Sequence, residues 1–160
     1  VALLAVANAE VDVVVFGDSW GTEGAASFSK MAQQHGLTVH NVAVGGTTTG
    51  DWAAKPNSLK NAVDAAGGAK HVWLTIGGND AIDGLIGGGD IHAILAKASS
   101  NMHIFMEPLL TAYPNIGVVQ FGYDVVNFKI DLCGLLGDAI FGKLCTGGSA
   151  NITCDNTEFL

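Results

Sequence analysis

Basic charge is scarce in this chain. Lys and Arg together number 7 against 15 Asp and Glu, so the formal net charge is −8 over 160 residues. That balance excludes nucleic acid and anionic membrane surfaces as partners, because both are bound through clustered cations; the carboxylates serve solubility. No apolar run is long enough to span a bilayer, which excludes a transmembrane segment. No Gly-x-Gly-x-x-Gly opens a helix, which argues against a nucleotide-type phosphate loop. His, Cys, Asp and Glu nowhere form a recognisable ligand pair with a second pair to match, so neither a metal nor any other cofactor is expected. Cysteine is limited to Cys133, Cys145 and Cys154, and the last histidine is His103.

Apolar residues and glycine are plentiful instead. Hydrophobic residues make up 49% of the chain and charged ones 14%, with 22 glycines scattered between the apolar runs. Such a composition suits one α/β domain with many tight turns and a sizeable core. Val-rich runs predict strands at Glu10–Phe16, Leu37–Val44, His71–Ile76 and Asn115–Phe121. Helical spacing predicts helices over Glu23–His35, with Gly36 as its cap, over Ser58–Ala66, and from Asp90 through Leu109, where Pro108 should kink or end the helix. Alternating strands and helices imply a doubly wound, flavodoxin-like parallel sheet, a three-layer α/β/α fold with right-handed crossovers. The glycine-rich stretch Asp83–Asp90 is expected as a mobile flap. Beyond about Val126 the pattern loosens, and nothing there reads as a fifth strand and final helix. The fourth strand is therefore expected to be a bare apolar edge.

Three strand ends carry small polar residues. Gly17-Asp18-Ser19-Trp20 follows the first apolar run, Gly45-Gly46-Thr47-Thr48 ends the second, and Gly77-Gly78-Asn79-Asp80 ends the third. In a parallel sheet all three converge on one edge. A serine there, where strand turns into helix, exposes its hydroxyl and lies beside backbone N–H groups able to face a developing oxyanion. In order and spacing the three segments resemble the SGNH (GDSL-type) hydrolases, a family of serine esterases, lipases and carbohydrate deacetylases. The resemblance runs from about Val11 to Tyr123.

The resemblance implies Ser19 as nucleophile and an oxyanion hole built from the N–H of Ser19, the N–H of Gly46 and the side-chain amide of Asn79. Gly46 without a Cβ lets the backbone approach the tetrahedral centre. Asp18 and Asp80 are expected to support the loops rather than act chemically. Trp20 and Trp52 flank the proposed site, as substrate walls or as packing. The family's fourth block, Asp-x-x-His near the C-terminus, is missing, and no resident histidine is well placed to replace it. His35, His40 and His71 lie away from the carboxyl edge, His103 is expected on a buried helical face, and His92 is the least badly placed.

An apolar start, Val1–Ala9, ends in Ala-x-Ala like the tail of a signal peptide. With the clustered cysteines and the sequon at Asn151, it points to a secreted, oxidising location. Two of Cys133, Cys145 and Cys154 are expected to pair with each other, and the odd one to pair elsewhere or remain free. The expected layout is thus a signal remnant at 1–9, an α/β domain at 10–125, and a Cys-containing lid or connecting segment at 126–160. The odd cysteine, the bare edge and the missing base have one shared explanation, an N-terminal piece whose remainder lies outside this segment or on a second chain. The resulting expectation is a secreted serine esterase acting on small-molecule, lipid or acetylated-carbohydrate esters. Its rivals are a catalytically dead fold serving as a binding or assembly module, and a flavodoxin-like binding domain with a phosphate loop at Gly17–Thr22.

Overall fold

The structure is a computed structural model that describes residues 10–120. The expected signal remnant, the 126–160 segment, the three cysteines and Asn151 lie outside the described residues. Elements follow in the order β1 (Val11–Gly17), α1 (Ser19–Glu23), α2 (Ala25–Gln34), β2 (Val39–Asn41), α3 (Thr49–Ala53), α4 (Ser58–Ala65), β3 (Ala69–Thr75), α5 (Gly78–Ile86), α6 (Ile91–Ala112) and β4 (Gly117–Gln120). The four strands form one parallel sheet in the order β2-β1-β3-β4. With helices on both faces this is the expected doubly wound, three-layer architecture.

Strand alternation decides which residues meet which layer. Val14 and Phe16 of β1 and Val72 and Leu74 of β3 are buried in one cluster with Trp52 of α3, Leu59 and Val63 of α4, and Phe105 and Leu109 of α6. Burying a side chain of this size contributes about 1.5–3 kcal/mol, so this face carries much of the stability. On the other face, Trp73 of β3 meets Phe28 of α2 with ring centroids 3.9 Å apart. There Gly21 of α1 lies so close that a Cβ would come within 3.3 Å of a Val15 methyl and 2.5 Å of the Ala43 methyl.

Several elements differ from their sequence-based expectation. The helix read at Glu23–His35 is two helices, beginning at Ser19 and meeting at Gly24. Its end is as expected: Gly36 adopts φ +69, with Gly36 N–H bonded to the Gln33 carbonyl and Leu37 N–H to the Ala32 carbonyl. The second strand is shorter than Leu37–Val44. The Asn41 side chain interrupts it by accepting from Ala43 N–H at 2.9 Å and donating to the Gly21 carbonyl at 2.8 Å. Helix α3 was not legible as a separate element, although Thr48 and Asp51 form a capping box at its start.

The glycine-rich stretch is not a free flap. Residues up to Ile86 belong to α5, and Gly87 and Gly89 close its end by bonding back to the Asp83 and Gly84 carbonyls. Gly84 is a packing residue: a Cβ there would sit 2.4 Å from Ile94 of α6. Pro108 does not end α6, which continues to Ala112 because fully buried Phe105 and Leu109 anchor it on both sides of the missing N–H. In β4 the outward Val119 is 57% exposed, while Gly117 makes room for the His71 ring, which its Cβ would overlap at 2.5 Å. Phe121, read as the end of that strand, lies outside the described residues. No helix among the described residues is long and apolar enough to cross a membrane.

Candidate active site

The three small-residue segments meet at the carboxyl edge of the sheet. Gly17 ends β1 at φ +138, and its missing Cβ is obligatory, since that atom would lie 1.9 Å from the Thr75 carbonyl oxygen. Asp18 N–H then donates to that same oxygen at 2.7 Å, locking the Gly17–Ser19 turn onto the end of β3. Asp18 is 1% exposed, and its carboxylate caps α1 by accepting from Trp20 N–H at 3.1 Å. Ser19 therefore opens α1 as a half-exposed residue, and Trp20 beside it is 54% exposed.

The loop after β2 lies against this turn. A Cβ on Gly45 would stand 3.9 Å from both Cα and Cβ of Ser19. Gly46 has φ +77, and a Cβ there would meet nothing within 4 Å. Its conformation demands glycine; crowding by the described residues does not. Thr47 ties the loop down. Its hydroxyl lies 3.0 Å from the Gly17 carbonyl and 2.8 Å from that of Val44, and accepts from Trp52 Nε1 at 3.0 Å. Trp52 itself is only 9% exposed, with its ring centroid 4.3 Å from that of Phe16, so it is core packing and not a substrate wall.

The third segment closes the arrangement. Gly77, at φ +115, turns β3 into α5, whose first turn carries Asn79 and Asp80. Asn79 donates through Nδ2 to the Thr47 carbonyl at 2.8 Å, which leaves the second N–H of that amide uncommitted by this bond. The Asp80 carboxylate accepts from Thr49 N–H at 2.8 Å and from the Thr49 hydroxyl. Nearby, the backbone N–H and then the hydroxyl of Thr48 hold the Asp51 carboxyl below its usual range. Beside Thr48 and Asp80 opens a cleft of about 440 Å³, lined also by Asp83, Asp90, Ile94 and Lys97.

All five histidines of the chain lie among the described residues, and none of them hydrogen-bonds the Ser19 hydroxyl. His35 caps the end of α2, His40 is in mid-β2, His71 is near the start of β3, and His92 is exposed in the first turn of α6. His103 is exposed rather than buried, because Asn101, Phe105 and Leu109 take the inner face of α6. Sequence reasoning named Gly45 and Thr47 only as members of the second segment, without their contacts, and missed Thr49 and Asn101. A signal for α3 was present in Thr48 followed three residues later by Asp51.

No family model and no curated protein sequence matches the chain. Solved structures do resemble it. An acetyl xylan esterase, AlAXEase, aligns with TM-score 0.56 and 19% identity over 85% of this chain and 69% of its own. BT4096, a gut microbial diltiazem-metabolizing enzyme, aligns with TM-score 0.50 and 19% identity over 72% of this chain and 27% of its own. A proposed acylhydrolase from Bacteroides fragilis aligns with TM-score 0.49 and 18% identity, and the chain spans half of its length, 50%. At these identities the likeness is one of fold: this chain is an α/β three-layer protein of the kind found in esterases.

Proposed function

We propose that this chain is the nucleophile-bearing part of an SGNH-type serine esterase. The observation that carries the reading is the convergence of the three strand ends, with Gly45 against Ser19 and Asn79 bonded to the neighbouring Thr47 carbonyl. In the proposed reaction the Ser19 hydroxyl attacks the ester carbonyl as its proton passes to a general base. The carbonyl oxygen becomes an oxyanion facing the N–H groups of Ser19 and Gly46 and the Asn79 amide, each donor being worth about 3–4 kcal/mol. Collapse breaks the C–O bond, the base returns its proton to the departing alcohol, and the acyl group stays on Ser19. Water then repeats the attack and releases the acid.

The base comes from outside residues 10–120, on a later part of the fold or a second chain. The substrate class is a small acyl ester, with acetylated carbohydrate favoured by the acetyl xylan esterase likeness and by the exposed ring of Trp20 beside Ser19. The protein is further proposed to be secreted, with a disulfide among its cysteines and a glycan at Asn151. A second reading, a binding module that has lost catalysis, is favoured by the lack of a histidine on Ser19.

The test is p-nitrophenyl acetate hydrolysis by the chain and its Ser19→Ala and His92→Ala variants, each with and without added imidazole as an external base. Expected is slow Ser19-dependent turnover that imidazole raises, unaffected by His92→Ala. Turnover identical in Ser19→Ala, after subtraction of solution hydrolysis, removes the esterase reading and leaves the binding module.

A further inference from the structure

The inner stripe of α6 contains a residue that does not belong in an apolar core. Ala98, Phe105 and Leu109 are buried there, and so is Asn101, at 6% exposure. A buried amide is costly unless bonded. Its Nδ2 donates to the Thr49 hydroxyl at 3.1 Å, and Thr49 is itself fully buried. Proton counting fixes the direction of the chain. The Thr49 hydroxyl donates its single proton to the Asp80 carboxyl, so on its other side it accepts. The NH2 end of Asn101 donates there, and the relay runs Asn101 to Thr49 to Asp80.

Asp80 adjoins Asn79 in the first turn of α5, and Thr49 follows directly on the loop that carries Gly45 and Gly46. The Thr49 backbone N–H also donates to Asp80 at 2.8 Å. The relay therefore joins α3, α5 and α6 behind the two outlying oxyanion donors. We infer that Asn101 is a positioning residue, acting through Thr49 and Asp80 to hold the Asn79 amide in register with the Gly46 loop. The inference rests on the esterase reading above. A displaced donor loses most of its worth, because oxyanion stabilisation depends on geometry set before the reaction.

The test measures kcat and KM for p-nitrophenyl acetate, with imidazole present, for the full chain and for Ser19→Ala, Thr49→Val, Thr49→Ser and Asn101→Leu, together with each thermal unfolding midpoint. Ser19→Ala reports on the esterase reading alone: turnover unchanged by it overturns that reading and the inference with it. Given Ser19-dependent turnover, Thr49→Val and Asn101→Leu are expected to lower kcat on the order of ten- to a hundredfold with KM within about twofold. Thr49→Ser, which keeps the hydroxyl, is expected to restore most of kcat. Full kcat in Thr49→Val overturns the inference. So does an equal loss in Thr49→Ser, because that variant removes only a methyl and its defect would be one of packing. If Asn101→Leu does not fold, the two Thr49 variants decide.

Discussion

Asn79 donates its side-chain amide to the carbonyl oxygen of Thr47 at 2.8 Å, joining residues 32 positions apart in the chain. The first turn of α5 and the loop after β2 are thereby held as one unit at the carboxyl edge of the sheet. In the proposed reaction the same amide faces the oxyanion. Asn79→Ala should then lower kcat on the order of a hundred- to a thousandfold, the usual consequence of removing one oxyanion donor. Steady-state kinetics on p-nitrophenyl acetate check this, and a wild-type kcat in the variant would take Asn79 out of the mechanism.

Gly17 and Gly46 both have positive φ, yet their replacement should act differently. At Gly17 a Cβ would collide with the Thr75 carbonyl at 1.9 Å. Strain and overpacking together should cost Gly17→Ala about 3 kcal/mol or more of stability. At Gly46 the Cβ meets nothing within 4 Å, so Gly46→Ala should cost only about 1 kcal/mol, the strain of φ alone. Its loss of turnover should be far larger than that, because the new methyl occupies space the substrate needs. Urea unfolding and kinetics on the same two variants separate the effects.

Acid should loosen the opposite end of the sheet. Asp12 of β1 accepts from Lys70 of β3 at 2.6 Å, and from Thr38 N–H at 2.7 Å and the Thr38 hydroxyl at 2.9 Å, just ahead of β2. The Lys70 hydrogen bond first, then the Thr38 N–H, hold its carboxyl far below the ordinary carboxylate range. A carboxyl depressed in the folded state contributes stability that is complete above its unfolded value, near 4, and is lost as pH falls from there toward the folded value. The gap in unfolding midpoint between the parent and Asp12→Asn should therefore be constant from about pH 5 to 7 and shrink below about pH 4. A gap that widens in acid would contradict the assignment.

The cysteines allow a check by mass mapping. If the chain is secreted as proposed, two of Cys133, Cys145 and Cys154 should be joined in the purified native protein, Cys133 with Cys145 being the favoured pair. A loop of that size is worth about 3 kcal/mol. Three reduced thiols would remove the disulfide and much of the argument for secretion.

Periodicity and turn chemistry alone determined the layered α/β class, the strand sequence and the three loop segments. Val11–Phe16 and its counterparts are short apolar runs between helical patterns, a local signal that folding only has to respect. The segments after them were legible because a strand end is where a parallel sheet presents chemistry, and the resemblance to the SGNH hydrolases singled out Ser19, Gly46 and Asn79 within them as candidates. What holds those loops was not legible. Thr47, Thr49 and Asn101 draw their roles from Gly17, Asp80 and Thr49 respectively, 30, 31 and 52 positions away. Long-range hydrogen bonds leave no periodic trace. The glycines of Asp83–Asp90 read as mobile for a related reason: only the packing of Gly84 on Ile94 reveals that a missing side chain can serve close helix contact as well as freedom. Trp52 likewise reads as either wall or core until the sheet brings Phe16 against it. Local pattern specified the strands and helices α2, α4 and α6, while tertiary contact decided where the remaining helices form and which polar residues hold the three loops together.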